Sequence, residues 1–157
     1  MNQKIILCVD DDTTILRALR ELLSTQLGPQ VMVEIAQSGE EALDICTELL
    51  QHGDELAVVI SDFIMPKLRG DELLVQLHER SPRTIKIMLT GQSDLDGIKR
   101  TINEANLYRF LEKPFNNDDL LLTAKSALRA YEQERELALS NAELEDINRA
   151  LERLVKE

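Results

Sequence analysis

The chain has 157 residues, with 18 Lys and Arg against 29 Asp and Glu, for a formal net charge of -11. That balance excludes a surface built to hold nucleic-acid phosphates, which needs a field of Lys and Arg, and the length leaves room for one domain and little more. The apolar 43%, with no Trp and 3% aromatics, is mostly Leu, Ile, Val and Ala, a mix that fills helices and buried parallel strands and excludes disorder over most of the length. Cys8 and Cys46 lie in apolar stretches without a paired spacing, the pattern of buried thiols in a reducing compartment. No stretch approaches about 18 apolar residues and the N-terminus lacks a leader-like run, so the expectation is a soluble, cytoplasmic protein without membrane contact.

The first run, Ile5-Ile6-Leu7-Cys8-Val9, predicts a buried strand and ends at Asp10-Asp11-Asp12. Ile15, Leu16, Leu19, Leu22 and Leu23 then fall at helical spacing, and Gly28-Pro29 stops that helix. Val31 to Ala36 predicts a second strand, and Ser38-Gly-Glu-Glu41 reads as a capping box opening a helix that closes at His52-Gly53-Asp54. Leu56 to Ile60 predicts the third strand, Leu73, Leu74 and Leu77 the next helix, Ile85 to Leu89 the fourth strand and Leu107 to Leu111 the fifth. Ser93 or Asp94, and Asn116 or Asn117, are suited to cap the helices on either side of the fifth strand. Runs such as Ala57-Val58-Val59-Ile60 do not alternate with polar residues, as expected of strands covered on both faces. The order βα, five times over, predicts a doubly wound parallel α/β sheet.

From Asn117 to Glu157 there is neither Pro nor Gly. A helix of that length is a rod of roughly 60 Å, about twice the width of the domain, so it must leave it. Leu137, Leu144, Ile147, Leu151 and Leu154 fit alternating a and d positions, with Ser140 as a polar d, and Glu132-Gln-Glu-Arg-Glu136 marks the exit. A solvated single helix, a short parallel coiled coil and a connector to a partner are all compatible with this pattern. Residues 1–128 are therefore read as one domain and 129–157 as a helical extension.

In an open parallel sheet ligands sit beyond the carboxyl ends of the strands. Here those ends carry Asp10, Asp11 and Asp12, then Asp62, Thr90 and Lys113. Each alone has an ordinary explanation as a cap, a turn or a solvated charge. Together they place several carboxylates in one crevice, where they raise one another's pKa and ask for a cation. Oxygen ligands of this kind favour Mg²⁺, and a lysine with a hydroxyl at the rim suits phosphoryl oxygens.

These residues resemble the response-regulator receiver domain of two-component phosphorelay signalling over residues 3 to 130. The match is carried by Ile5-Ile-Leu-Cys-Val-Asp-Asp-Asp12 in its strand-end setting, Val59-Ile-Ser-Asp62-Phe-Ile-Met-Pro66 with Gly70, Met88-Leu-Thr90-Gly91 and Phe110-Leu-Glu-Lys113-Pro114-Phe115. The resemblance implies a flavodoxin-like five-stranded sheet in the order 2-1-3-4-5. It implies that Asp62 is the phosphoacceptor, that Asp10, Asp11, Asp62 and the backbone carbonyl of Ile64 hold Mg²⁺, and that Lys113 and Thr90 bind phosphoryl oxygens. It also implies a cis Lys113-Pro114 bond, a switch pair in Thr90 and Phe110, and a phosphodonor that is a sensor histidine kinase or phosphotransfer protein. Asp12 stands where the family often has Glu and is set apart from the metal. Ile64 and Gln92 occupy rim positions that tune phosphoryl lifetime, and apolar Ile64, unable to orient a water, implies a long one. The domain catalyses only its own modification and is not a conventional enzyme.

Two other readings stay open at this stage. Asp10-Asp-Asp12-Thr-Thr14 fits the nucleophile motif of haloacid-dehalogenase-like phosphatases, with Asp10 as nucleophile and Asp118-Asp119 as the later acidic pair. A non-phosphorylated adaptor that forms a homodimer through its tail is the third. The heptads run to the last residue, so the chain is expected to be a piece of a longer regulator with an output domain beyond Glu157. His52 and His78 are expected to be solvated, Cys8 and Cys46 inert, and Met65 and Met88 packing residues.

Overall fold

A computed structural model describes residues 3–91 and 95–156. Elements alternate throughout: β1 (Lys4–Val9), α1 (Thr13–Leu27), β2 (Val31–Ala36), α2 (Gly39–Gln51), β3 (Glu55–Asp62), α3 (Gly70–Arg80), β4 (Ile85–Thr90), α4 (Leu95–Ala105), β5 (Arg109–Glu112) and α5 (Asn117–Lys156). The strands form one parallel sheet in the order β2-β1-β3-β4-β5, the flavodoxin-like arrangement. Central strands β1, β3 and β4 are buried almost throughout, because helices cover both faces.

Alternation along each strand divides the core. Ile6, Cys8, Val58, Ile60, Ile87 and Leu89 face α1 and α5, where Leu16, Leu19, Leu23, Leu120 and Ala124 meet them. Ile5, Leu7, Val9, Val59 and Met88 face the other side, against Ala42, Leu73, Leu74, Leu77 and Ile98. Cys8 and Cys46 are free and buried, and burial pushes the Cys8 thiol up to about 12, so it stays protonated and unreactive.

Local signals place the helices. Asp12 Oδ1 accepts from the Thr14 N–H at 2.9 Å and caps α1. Ser38 Oγ accepts from Glu41 N–H at 3.1 Å, and Glu41 Oε2 reaches back to the Gln37 N–H at 3.0 Å, a capping box shifted by one residue at its return bond. Asn116 Oδ1 accepts from the Asp119 N–H at 2.7 Å and caps α5. Ser93 and Asp94, expected as caps, and the rim residue Gln92 lie outside the described residues.

Three expectations are corrected. The third strand runs on to Asp62, because Ser61 and Asp62 still pair with Met88 and Leu89 of β4. The fifth strand starts at Arg109 rather than Leu107; Asn106 takes a positive φ of 54° and sets the turn ahead of it. His78 is not solvated: it is half-buried, with Nδ1 2.7 Å from the Nζ of fully buried Lys86.

Helix α5 has two regimes. Leu120, Ala124, Ala127 and Tyr131 are buried against the sheet, whereas Leu137, Leu144, Ile147, Leu151 and Leu154 are each more than half exposed. Lys4 of β1 pairs with Glu132, and Arg135 Nη1 lies 2.9 Å from Glu55 Oε1 of β3. These pairs bind the helix to the amino ends of two central strands as it departs.

Candidate functional site

The carboxyl ends of β1, β3, β4 and β5 bring the polar residues together. Asp62 is the last residue of β3; on β1 the partner of Ser61, Val9, is followed by Asp10, and on β4 the partner of Asp62, Leu89, is followed by Thr90. The Lys113 N–H donates to the Thr90 carbonyl at 2.8 Å, tying the residue after β5 to the end of β4. The Lys113-Pro114 peptide is cis.

One carboxylate oxygen from each of Asp10, Asp11 and Asp62 lies within 4.8 Å of the others. Lys113 Nζ sits 2.6 Å from Asp62 Oδ1 and 3.8 Å from Asp10 Oδ2. Asp10 is 1% exposed; its Oδ1 accepts from the Asp12 N–H at 2.9 Å, while Oδ2 has no hydrogen-bond partner among the described residues. Burial raises the Asp10 carboxyl to about 6, with Asp62 and Asp11 adding to the rise and the Asp12 N–H and Lys113 opposing it. Asp62 is also raised, first by burial, against the pull of Lys113. An orphaned buried carboxylate oxygen beside two more carboxylates is a hard-oxygen donor set one cation short, and it suits Mg²⁺.

Thr90 is fully buried and its hydroxyl has no hydrogen-bond partner among the described residues. Gly70, the first residue of α3, packs so tightly that a Cβ there would strike the Asp62 carbonyl oxygen. Its N–H donates to the Phe63 carbonyl at 2.8 Å. The loop between β3 and α3 is therefore drawn back over the strand end, leaving Ile64 exposed and Met65 buried. Phe110 is on β5 and 42% exposed, on the outer surface rather than in the crevice.

Asp12 caps α1 and, among the described residues, takes no part in the carboxylate cluster. Asp118 and Asp119 occupy the first turn of α5 and, among the described residues, take no part in the carboxylate cluster, so the acidic pair required by a dehalogenase-like phosphatase is missing from the site. The sequence passed over Lys86 and Asp71, both buried with 1% exposure. Lysine inside the run Ile85–Leu89 and aspartate inside an amphipathic helix were the available signals.

The family model for the response regulator receiver domain matches residues 6–125. This chain belongs to that family. As a receiver it is a signalling domain rather than a conventional enzyme. It is 33% identical over 128 residues to the hydrogenase transcriptional regulatory protein HoxA of Cupriavidus necator, covering 82% of this receiver and 25% of HoxA. Identity to the C4-dicarboxylate transport transcriptional regulatory protein DctD of Pseudomonas aeruginosa is 34%, covering 91% of this receiver and 30% of DctD. The chain thus spans under a third of the length of these relatives. Among solved structures, the signal receiver domain of an HD domain-containing protein from Pseudomonas fluorescens superposes with a TM-score of 0.74 at 35% identity, covering 87% of this chain and 94% of that one. A CheY-like receiver from Methanospirillum hungatei gives 0.74 at 32% identity, over 85% and 99%. Among the described residues of this receiver, no helix is long and apolar enough to cross a membrane.

Proposed function

We propose that this receiver takes a phosphoryl group onto Asp62 from a phosphohistidine of a sensor histidine kinase or phosphotransfer protein in the cytoplasm, and that the modification governs self-association through α5. The observation that carries this is Lys113 Nζ at 2.6 Å from the Asp62 carboxylate, on the lip of a three-carboxylate cluster with an unpartnered Thr90 hydroxyl behind it. When bound by Asp10, Asp11, Asp62 and the backbone carbonyl of Ile64, Mg²⁺ supplies positive charge to offset the oxygens of the transferring group.

An Asp62 oxygen attacks phosphorus as the P–N bond to the donor imidazole breaks. A new P–O bond makes an acyl phosphate, and the imidazole departs neutral with a proton on its other nitrogen. Lys113 neutralises charge on the phosphoryl oxygens, and Thr90 donates to one of them. The acyl phosphate carries about 2 negative charges where the Asp62 carboxylate carried one, a net gain of about one in the crevice, which draws the Thr90 hydroxyl inward and gives Phe110 room to turn in from the surface. Exposed Ile64 cannot orient a water for hydrolysis, so the acyl phosphate is long-lived.

The tail supports the second half of the proposal. At about 100° per residue, the exposed stripe Leu137, Leu144, Ile147, Leu151 and Leu154 lies on roughly the opposite side of the rod from Leu120, Ala124, Ala127 and Tyr131. A stripe turned away from its own domain is available to the same stripe of a second copy, and a parallel homodimer would carry a signal toward an output domain in a longer protein. Intact-mass measurement of the wild type and Asp62→Asn, with acetyl phosphate and with or without Mg²⁺, tests the chemistry. One phosphoryl group on the wild type, dependent on Mg²⁺ and lost in Asp62→Asn, is expected. An unmodified wild type, or phosphorylation that survives in Asp62→Asn, overturns it.

A further inference from the structure

Asp71 is the second residue of α3, and its carboxylate is almost wholly withdrawn from water. Oδ2 lies 3.1 Å from Arg69 Nη2 and 3.7 Å from Arg100 Nη1 on α4, while Oδ1 is buried with no hydrogen-bond partner among the described residues. Arg100 points its Nε at Glu104 Oε2, 2.8 Å away on its own helix. A buried carboxylate with one bare oxygen, facing a guanidinium that stops at 3.7 Å, is a two-pronged ion pair left half made.

The same residues frame the segment after the phosphoacceptor. The Arg69 guanidinium stands 5.6 Å from the ring centre of Phe63, the residue following Asp62. That ring abuts Gly97 of α4 so closely that a Cβ on Gly97 would collide with it. The Phe63 N–H also donates to the Leu89 carbonyl at 2.9 Å, which ties this residue to β4. The Asp62 main chain therefore cannot shift without pressing Phe63 on α4, and α4 carries Arg100.

We infer that Asp71, with Arg69 and Arg100, is a charge latch that positions α4 according to the state of the Asp62 loop. In the resting arrangement Arg100 is shared with Glu104 and the latch is half closed. When phosphorylation rearranges the loop, Phe63 carries α4 through Gly97, Arg100 closes on Asp71, and the bare oxygen gains its partner. Asp71 is thus a positioning residue, acting through Arg69 and Arg100 on the helix next to the site. The inference rests on the phosphoacceptor reading of Asp62.

Hydrogen exchange of the α4 peptides, read by mass spectrometry on the full chain with Mg²⁺ and with or without acetyl phosphate, tests it in the wild type, Arg100→Gln and Asp71→Asn. Intact mass of the same samples records the phosphoryl group. In the wild type, phosphorylation is expected to slow α4 exchange by about fivefold or more, and in both variants by less than about twofold, with β1 peptides alike in all three. Arg100 is at the surface, so its variant keeps the test meaningful if Asp71→Asn folds poorly. Phosphorylated variants that show the wild-type slowing, or a phosphorylated wild type that shows none, overturn the latch. A wild type without the phosphoryl group overturns the reading of Asp62 itself, and the latch with it.

Discussion

Lys86 is 1% exposed, with its ammonium 2.7 Å from His78 Nδ1 and 3.2 Å from the Pro82 carbonyl. Burial lowers the Lys86 pKa from 10.5 to about 8, only partly countered by Glu134, and burial together with Lys86 lowers that of His78. A lysine depressed in the folded state contributes stability above its unfolded pKa of 10.5 and loses it as pH falls through about 8. At neutral pH the whole penalty, about 3 kcal/mol, is in force. Lys86→Met should therefore raise the unfolding free energy at pH 7 by about 1 to 2 kcal/mol, once the lost bond to Pro82 is allowed for. Urea melts of both proteins should show the gain shrinking between pH 8 and pH 10.5. A gain that is flat across that range would sink the assignment. Thr90 makes the opposite case, a buried hydroxyl whose proposed partner is the phosphoryl group. Thr90→Val should leave stability unchanged or higher by about 1 kcal/mol, measured by the same melts, while abolishing the phosphorylation-dependent change in α4 exchange. Residues of these two kinds differ in legibility. Asp10, Asp62, Thr90 and Lys113 were readable because each ends a strand or directly follows one, whereas Lys86 and Asp71 depend on partners brought in by tertiary packing, and no local spacing announces those.

Among the elements, the connection from β3 to α3 carries the tightest constraint. Gly70 starts α3 packed against the Asp62 carbonyl, so the helix end and the proposed phosphoacceptor are one packed unit. Gly70→Ala has nowhere to put its methyl, because the obstacle is backbone rather than a movable side chain. It should destabilise the domain by about 1 to 3 kcal/mol and slow phosphorylation of Asp62 by acetyl phosphate, both measurable on one preparation. A stable variant phosphorylated at the wild-type rate would refute the coupling. The strands and most helices were legible because buried parallel strands read as apolar runs and caps read as Ser, Asn or Asp ahead of a helix. The edges were less so: β5 is four residues and largely exposed, so its apolar signal was weak and its start misplaced, and the end of β3 was hidden because Ser61 and Asp62 are polar residues held in strand pairing by β4.

For the molecule as a whole, the question is what the free part of α5 does once it has left the domain. After Tyr131, α5 runs on to Lys156, some 37 Å of helix at about 1.5 Å per residue. An isolated helix of this length is marginal in water, since nucleation and fraying oppose it and only packing of an apolar face sustains it. Its apolar face is the stripe centred on Ile147, and the pairs Lys4–Glu132 and Glu55–Arg135 fix the direction in which that stripe leaves the domain. Two copies joined along it would exclude water from both stripes and hold two receivers at a set separation. Sedimentation velocity of the full chain should then show self-association that Ile147→Glu weakens by at least about tenfold in Kd, because a carboxylate at a d position is desolvated with no partner. Far-ultraviolet circular dichroism should show a matching loss of helix as the tail frays. Asp62→Asn should still self-associate but cease to respond to acetyl phosphate, separating the adhesive role of the tail from the switching role of the site. An Ile147→Glu variant that sediments like the wild type would place the contact elsewhere on the receiver and leave the exposed stripe to a different partner.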